Sequence, residues 1–124
     1  MSSLKNYIWK AIGFGVIVCS PFLSVDNAFG HQVDVFWSPR LNGLEVDRCI
    51  DSYQYPDGCS ANATKFAADE FCKLKGYSSA LSWEYVDNSS NPRNVYKLLD
   101  ERGNTQFRLF NFGANIFTGI ACQR

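Results

Sequence analysis

The sequence predicts an α+β domain in which one helix, over about residues 62–75, packs on an antiparallel sheet of about five or six strands, with two disulfides. Three observations predict this class. A single segment repeats its apolar residues with the period of a helix, several others alternate with the period of a strand, and an even number of cysteines follows an export sequence.

Residues 1–30 are predicted to be a signal peptide. Lys5 and Lys10 precede an apolar run over residues 11–18, and the segment ends in small residues. This arrangement is typical of a secretory signal sequence, whereas the run falls short of the about 20 apolar residues that span a bilayer. Residues 31–124 are therefore expected to form one secreted, extracellular or periplasmic domain without a membrane span.

Four of the five cysteines lie beyond the predicted cleavage site: Cys49, Cys59, Cys72 and Cys122. An even number in an exported chain is typical of disulfides, and the lack of a CxxC pair disfavours a zinc site. Two disulfides are therefore predicted. Of the three possible pairings, Cys49 with Cys72 and Cys59 with Cys122 is favoured, because Cys72 is expected to lie off the apolar face of the helix and to need a partner there.

The first elements of the domain are predicted to be two strands around a turn. Residues 33–37 are predicted to form a strand that places Val33, Val35 and Trp37 on one apolar face, which we expect to join the core. Residues 44–50 form a second run with the alternation of a strand, and Asn42 and Gly43 between the two runs favour a tight turn. A β-hairpin is therefore predicted.

The helix over about residues 62–75 is the clearest element. Ser60 or Asn62 is suited to cap its first amides, and Gly76 is suited to end it in a left-handed conformation. Side chains at helical spacing form one apolar face that is expected to contact the core. They are Ala63, Phe66, Ala67, Phe71 and Leu74.

The alternation of apolar and polar residues returns after the helix. It predicts strands over about residues 79–86, 95–99, 105–110 and 117–122. Trp83 lies on an apolar strand face and is expected in the core. Together with the N-terminal hairpin, these strands complete the predicted sheet.

The net charge of the predicted mature domain is near zero. Lys5, Lys10 and Asp26 leave with the signal peptide, so twelve basic and twelve acidic residues fall to ten and eleven. Proteins that bind nucleic acid or acidic membranes usually carry a strongly basic surface. Neither partner is therefore expected.

The side chains available for catalysis are few. The mature domain has one histidine, His31, at its predicted N-terminus, whereas Ser-His or Cys-His catalysis needs an imidazole beside the nucleophile. No metal or cofactor is expected, and the protein is predicted not to be an enzyme. A two-carboxylate glycoside hydrolase is a less favoured alternative, because several carboxylates are present but no spacing selects a pair. The candidates are Glu45, Asp47, Asp57, Glu84 and Asp87.

A non-catalytic binding module for a carbohydrate or a protein partner is the favoured function. Tyr53 and Tyr55 alternate in a loop rich in turn residues, so both are expected to point the same way, with Asp57 nearby. Flat rings with a polar rim suit sugars and proteins alike. The competing interpretation is that both rings cover the edge of the core. The alternative function is a structural or interaction protein of the cell envelope, or a secreted inhibitor or effector. In either case the protein is expected to be a monomer.

The helix carries the most specific motif of the chain, Ala-Ala-Asp-x-Phe-Cys over residues 67–72, followed by Gly76-Tyr77 and by Ile-Ala-Cys over residues 120–122. In this pattern the domain resembles an uncharacterised family of small secreted cysteine-containing domains from bacteria and plants. The resemblance implies the same small fold and no particular activity. Family members often carry Trp where this chain has Arg48, and two further cysteines, so the resemblance leaves the disulfide pairing open.

Overall fold

Strands make up most of residues 32–124, the part of the chain that the computed structural model describes. The predicted signal peptide and His31 lie outside the described residues. Within residues 32–124, no helix is long and apolar enough to cross a membrane. The elements of this part are β1 (Val33–Trp37), β2 (Arg40–Leu41), β3 (Leu44–Ser52), α1 (Ala61–Leu74), β4 (Ser79–Val86), β5 (Arg93–Glu101), β6 (Asn104–Gly113) and β7 (Ile116–Gln123).

The seven strands of the described residues form one mixed sheet. Its main path is β1-β7-β3-β5-β6, with β2 paired to β3 and β4 paired to β7. Strands β3 and β5 run parallel, with Ile50 opposite Leu98, and the other pairs are antiparallel. The predicted α+β class is confirmed, but the purely antiparallel sheet of five or six strands is wrong. Because α1 and β4 separate β3 from β5 in the chain, the connection is long enough for β5 to return parallel to β3.

Strand β7 lies at the centre of the sheet. Strand β4 pairs with β7 from Ile116 to Gln123, whereas β1 pairs along residues 119–123 and β3 pairs at Ile116. Since β4 runs along one edge of β7, β1 and β3 share the other edge. Both edges of β7 are therefore occupied, and Phe117 and Ile120 within it are fully buried.

Helix α1 begins and ends close to the predicted residues. Its N-cap is Ser60, whose side chain accepts a hydrogen bond from the Ala63 amide at 3.1 Å; Asn62 lies inside the helix. Gly76 follows the helix with φ +91°, a left-handed conformation that glycine adopts without steric cost. The predicted cap and stop are thus confirmed at Ser60 and Gly76.

The buried face of α1 is rotated relative to the prediction. Ala63, Ala67 and Phe71 are fully buried as expected, but so is Cys72, whereas Leu74 is 63% exposed. Leu74 lies two residues, or about 200° around the helix, beyond Cys72. Because Cys72 points at the central strand β7, where it bonds to Cys122, Leu74 points away from that strand.

Both predicted disulfides are present, but the favoured pairing is wrong. The bonds join Cys49 to Cys59 and Cys72 to Cys122, with Cα–Cα distances of 4.4 and 5.4 Å. Cys72 faces the sheet rather than a flanking segment, and there it meets Cys122 on the central strand β7. Cys59 reaches Cys49 because the loop after β3 turns back on that strand.

Gly58 allows this loop to approach β3 closely. Its carbonyl accepts a hydrogen bond from the Ile50 amide at 2.9 Å, and a Cβ added at Gly58 would lie 1.9 Å from the Ile50 carbonyl oxygen. Since backbone atoms cannot rotate away, we expect Gly58→Ala to lower the free energy of unfolding by about 2 kcal/mol. Urea denaturation measures this loss.

Gly103→Ala is the matched control for this substitution. A Cβ at Gly103 would meet nothing within 4 Å, and only its φ of +81° opposes a side chain. We therefore expect a loss of about 1 kcal/mol there. A loss at Gly58 no larger than the loss at Gly103 would contradict the steric argument.

Candidate functional site

The two tyrosines of the predicted binding loop lie in different surroundings. Tyr53 is 56% exposed, and the Arg102 guanidinium lies 5.5 Å from its ring centroid. Tyr55 is half-buried and packs on Phe66 of α1, with ring centroids 5.7 Å apart. Tyr55 therefore covers the edge of the core, as the competing interpretation expected, whereas Tyr53 remains an exposed candidate.

Asp57, the third residue predicted for this site, organises the turn before α1. Its Oδ1 accepts a hydrogen bond from the Cys59 amide at 3.0 Å, and its carbonyl accepts one from the Ser60 amide at 3.2 Å. This geometry gives Asp57 a role in the turn. Whether Tyr53, Tyr55 and Asp57 contact a ligand stays a prediction.

A nearly buried arginine, Arg48, joins four segments of the fold. Its Nε and Nη2 donate to the two Asp87 carboxylate oxygens at 2.6 and 2.8 Å. Its Nη1 donates to the Cys59 carbonyl at 2.7 Å and to the Thr64 hydroxyl at 2.8 Å. The centroid of the Tyr85 ring lies 4.2 Å from the Arg48 Cζ atom. The hydrogen bond from Arg48 lowers the pKa of Asp87. Such a buried hydrogen-bond network fixes the relative positions of the segments that it joins.

Most of the carboxylates considered for hydrolysis already form an ion pair or a hydrogen bond within the protein. Glu45 forms an ion pair with Arg93 at 2.6 Å, and the hydrogen bond from Arg93 lowers the pKa of Glu45. Asp47 is 2% exposed, and its Oδ1 accepts a hydrogen bond from the Cys49 amide at 2.8 Å. Among the five candidate carboxylates, only Glu84 lacks an ion pair or hydrogen bond within residues 32–124.

Trp37 is exposed on the outer face of the sheet, so its predicted place in the core is wrong. The exposed fraction of Trp37 is 70%, and Val35 on the same face is 49% exposed. Phe36 points to the other face, where its ring packs edge-on against Phe71 at 5.4 Å. The helix covers only that inner face, which leaves the apolar outer face of β1 open.

The indole of Trp37 lies over a glycine of the central strand. Gly119 pairs with Trp37 on β1 and with Glu84 on β4, so the three residues lie side by side on one face. A Cβ at Gly119 would lie 2.9 Å from Cζ3 of Trp37; the missing side chain makes room for the indole. We call this surface the Trp37 face: Val35, Trp37, Ser82, Glu84, Gly119 and Ala121.

The Trp37 face contains a shallow depression of about 130 Å³. Its centre is apolar, whereas the Ser82 hydroxyl and the Glu84 carboxylate provide hydrogen-bonding groups. Sequence reasoning missed this site, although the alternation in β1 did place Val35 and Trp37 on one face. Alternation identifies a face, but not whether another element covers it.

The described residues contain no group of three or more His, Cys, Asp or Glu side chains that could hold a metal ion. In comparisons with known proteins, the chain matches no protein-family model, no curated protein and no solved structure. The resemblance to small secreted cysteine-containing domains therefore stays a prediction.

Proposed function

We propose that this protein is a secreted, non-catalytic carbohydrate-binding module that stacks a sugar ring on Trp37. The observation that carries the proposal is the exposed indole of Trp37, lying over Gly119 beside Glu84. A sugar presents an apolar face of C–H groups and a rim of hydroxyls. The Trp37 face presents a flat aromatic ring and, next to it, a carboxylate that accepts hydrogen bonds.

The position of Trp37 on a paired strand supports a ligand platform. Five consecutive residues of β1 pair with β7, so the backbone that carries the indole is held on the central strand. Sites on sheets are positioned more accurately than sites on loops. Leaving an indole 70% exposed gives up most of the stabilisation that its burial would provide, which is a reason to look for a ligand there.

Glu84 is the second contact in the proposal. Its carboxylate has no partner among the described residues, and it stands across Gly119 from Trp37. A sugar stacked on the indole would bring its hydroxyls to the edge of the ring, where Glu84 and the Ser82 hydroxyl are available. The two disulfides are compatible with an extracellular or periplasmic location, where polysaccharides are found.

The test is a glycan array, followed by calorimetric titration of the glycan that gives the strongest response. We expect Trp37→Ala to weaken binding by about tenfold or more, as for a central aromatic contact. Glu84→Gln keeps the shape of the side chain but removes the charge, and it is expected to weaken binding less. Circular dichroism should show that both variants stay folded, since both side chains are exposed.

Two exposed aromatic residues provide matched controls for Trp37→Ala. Phe112, which is 80% exposed, and Tyr53 both lie outside the Trp37 face, so Phe112→Ala and Tyr53→Ala should bind normally. Loss of binding in Tyr53→Ala, with Trp37→Ala unaffected, would move the site to the loop around Tyr53. The absence of any glycan ligand, together with a crosslinked protein partner, would favour an interaction protein, inhibitor or effector instead. Release of sugar products by the wild-type protein would favour the hydrolase.

A further inference from the structure

A second cavity, of about 390 Å³, lies between the C-terminal end of α1 and strands β5 and β6. Its volume is within the range of about 300–1,000 Å³ that is usual for small-molecule sites. Leu41, Leu98 and Phe107 form its apolar floor, and Leu98 is 1% exposed. We call this cavity the α1–β6 cleft.

Leu74 at the rim adds to the apolar surface of the cleft. Its side chain is 63% exposed and lines this cavity together with Leu98 and Phe107 of the sheet. A ligand whose apolar part lies along Leu74 and the floor would cover surface that the fold itself leaves open. The body of the ligand is therefore expected to be apolar.

The charges at the rim favour an anionic head group. The Glu70 carboxylate lies 3.1 Å from the Lys73 ammonium, so its charge is compensated within the helix. Lys75 also lines the cleft, and its ammonium lies 5.5 Å from the Phe71 ring centroid. Within residues 32–124 no carboxylate forms an ion pair with Lys75, so its charge is available to a ligand.

The hydroxyl of Tyr96 adds a hydrogen-bond donor to the same cavity. It accepts a hydrogen bond from the Asn42 side-chain amide at 3.2 Å, and Asn42 lies in the turn between β2 and β3. Since the hydroxyl oxygen is occupied as an acceptor, its own proton remains to be donated. The Tyr96 hydroxyl and the Lys75 ammonium, which both line the cleft, complement an oxyanion.

From this combination we infer that the α1–β6 cleft is a second binding site, which takes a small amphiphilic carboxylate. The apolar tail would lie along Leu74, Leu98 and Phe107, and the carboxylate would accept hydrogen bonds from Lys75 and Tyr96. This site shares no residue with the Trp37 face. The inference therefore holds whether or not the protein binds a sugar.

The test uses decanoate as the probe, below its critical micelle concentration at neutral pH, and follows backbone amide NMR signals of the isotope-labelled protein. Decanoate has about 12 non-hydrogen atoms, for which a dissociation constant on the order of 1 mM is expected. Saturable shifts should appear at Leu74, Lys75 and Gln106. Decyltrimethylammonium, with the same chain and the opposite charge, should bind at least about fivefold more weakly.

Three variants test the assignment of the cleft. Lys75→Gln is expected to weaken decanoate binding by roughly fivefold, as for the loss of one exposed charged contact, whereas Lys65→Gln, on the same helix but outside the cleft, should have no effect. Leu74→Asp places a carboxylate in the lining of the cleft, where it would repel the carboxylate of decanoate, and it should abolish binding. Lys75, Lys65 and Leu74 are all exposed, so these variants are expected to fold.

Several results would overturn the inference. They are the absence of saturable shifts, equal binding of decanoate and decyltrimethylammonium, unchanged binding in Lys75→Gln or in Leu74→Asp, and shifts centred on the Trp37 face. Trp37→Ala should bind decanoate normally. The proposed sugar site and the α1–β6 cleft can thus fail independently of each other.

Discussion

Removing the Cys72–Cys122 disulfide, as Cys72→Ala with Cys122→Ala, is expected to lower the free energy of unfolding by about 4 kcal/mol. The bond joins residues 50 positions apart, and closing a loop of this length restricts the unfolded chain by about that amount. Both cysteines are fully buried, so the loss of two sulfur atoms from the core adds to the effect. Small domains have only about 5–15 kcal/mol of stability in total. Urea denaturation under non-reducing conditions measures the loss.

The Cys49–Cys59 disulfide provides the matched control. It joins residues only 10 positions apart, for which the same relation gives about 3 kcal/mol, and Cys59 is exposed. Cys49→Ala with Cys59→Ala should therefore cost less. An equal or larger loss in this control would contradict the ranking, and peptide mapping that found Cys49 joined to Cys72 would contradict the pairing itself.

The local elements of the fold could be predicted because their causes are local. Ser60 and Gly76 mark the ends of α1 by side-chain capping and by a left-handed backbone, and both act within a few residues. The pairing of Cys72 with Cys122 has no such local cause. It depends on β7 lying at the centre of the sheet next to α1, although α1 ends 42 residues before β7 begins.

The candidate site was harder to predict than the fold, for the same reason. The alternation in β1 does separate Trp37 from Phe36, but the position of α1 decides which of the two is buried. Arg48 illustrates a similar dependence. Its partners Asp87 and Thr64 lie 39 and 16 residues away, so nothing near Arg48 in the sequence indicates that its guanidinium is enclosed.

Asp47→Asn is expected to stabilise the protein at neutral pH by about 3 kcal/mol and to leave its stability near pH 4 almost unchanged. Burial raises the pKa of Asp47 from an ordinary 3.8 to about 6, against the lowering effect of the hydrogen bond from the Cys49 amide and of the nearby Lys97 charge. The folded state therefore binds the Asp47 proton more tightly than the unfolded state. Each unit of pKa difference corresponds to about 1.4 kcal/mol.

The sign of this pH dependence follows from proton linkage. Below about pH 4 the carboxyl is protonated in both states, and its full contribution to stability is present; the contribution is lost as the pH rises through about 6. Glu45 and Asp87 act in the opposite direction, because their pKa values are lowered in the folded state. The pH dependence of the wild-type unfolding free energy therefore combines the effects of several groups. The difference in unfolding free energy between Asp47→Asn and wild type reports on Asp47, because the effects of the other groups are the same in both proteins.

The measurement is urea denaturation of both proteins from pH 4 to pH 7.5, with Asp51→Asn as the control. The Asp51 side chain is 67% exposed and lies 3.7 Å from the Lys97 ammonium, and such an exposed ion pair contributes at most about 1 kcal/mol. Asparagine at position 47 still offers a side-chain oxygen to the Cys49 amide, so the variant removes the charge and keeps that acceptor. If the stability difference between Asp47→Asn and wild type does not grow between pH 4 and pH 7, then Asp47 is not buried as a charged group, and the interior of the sheet at β3 must be open to water.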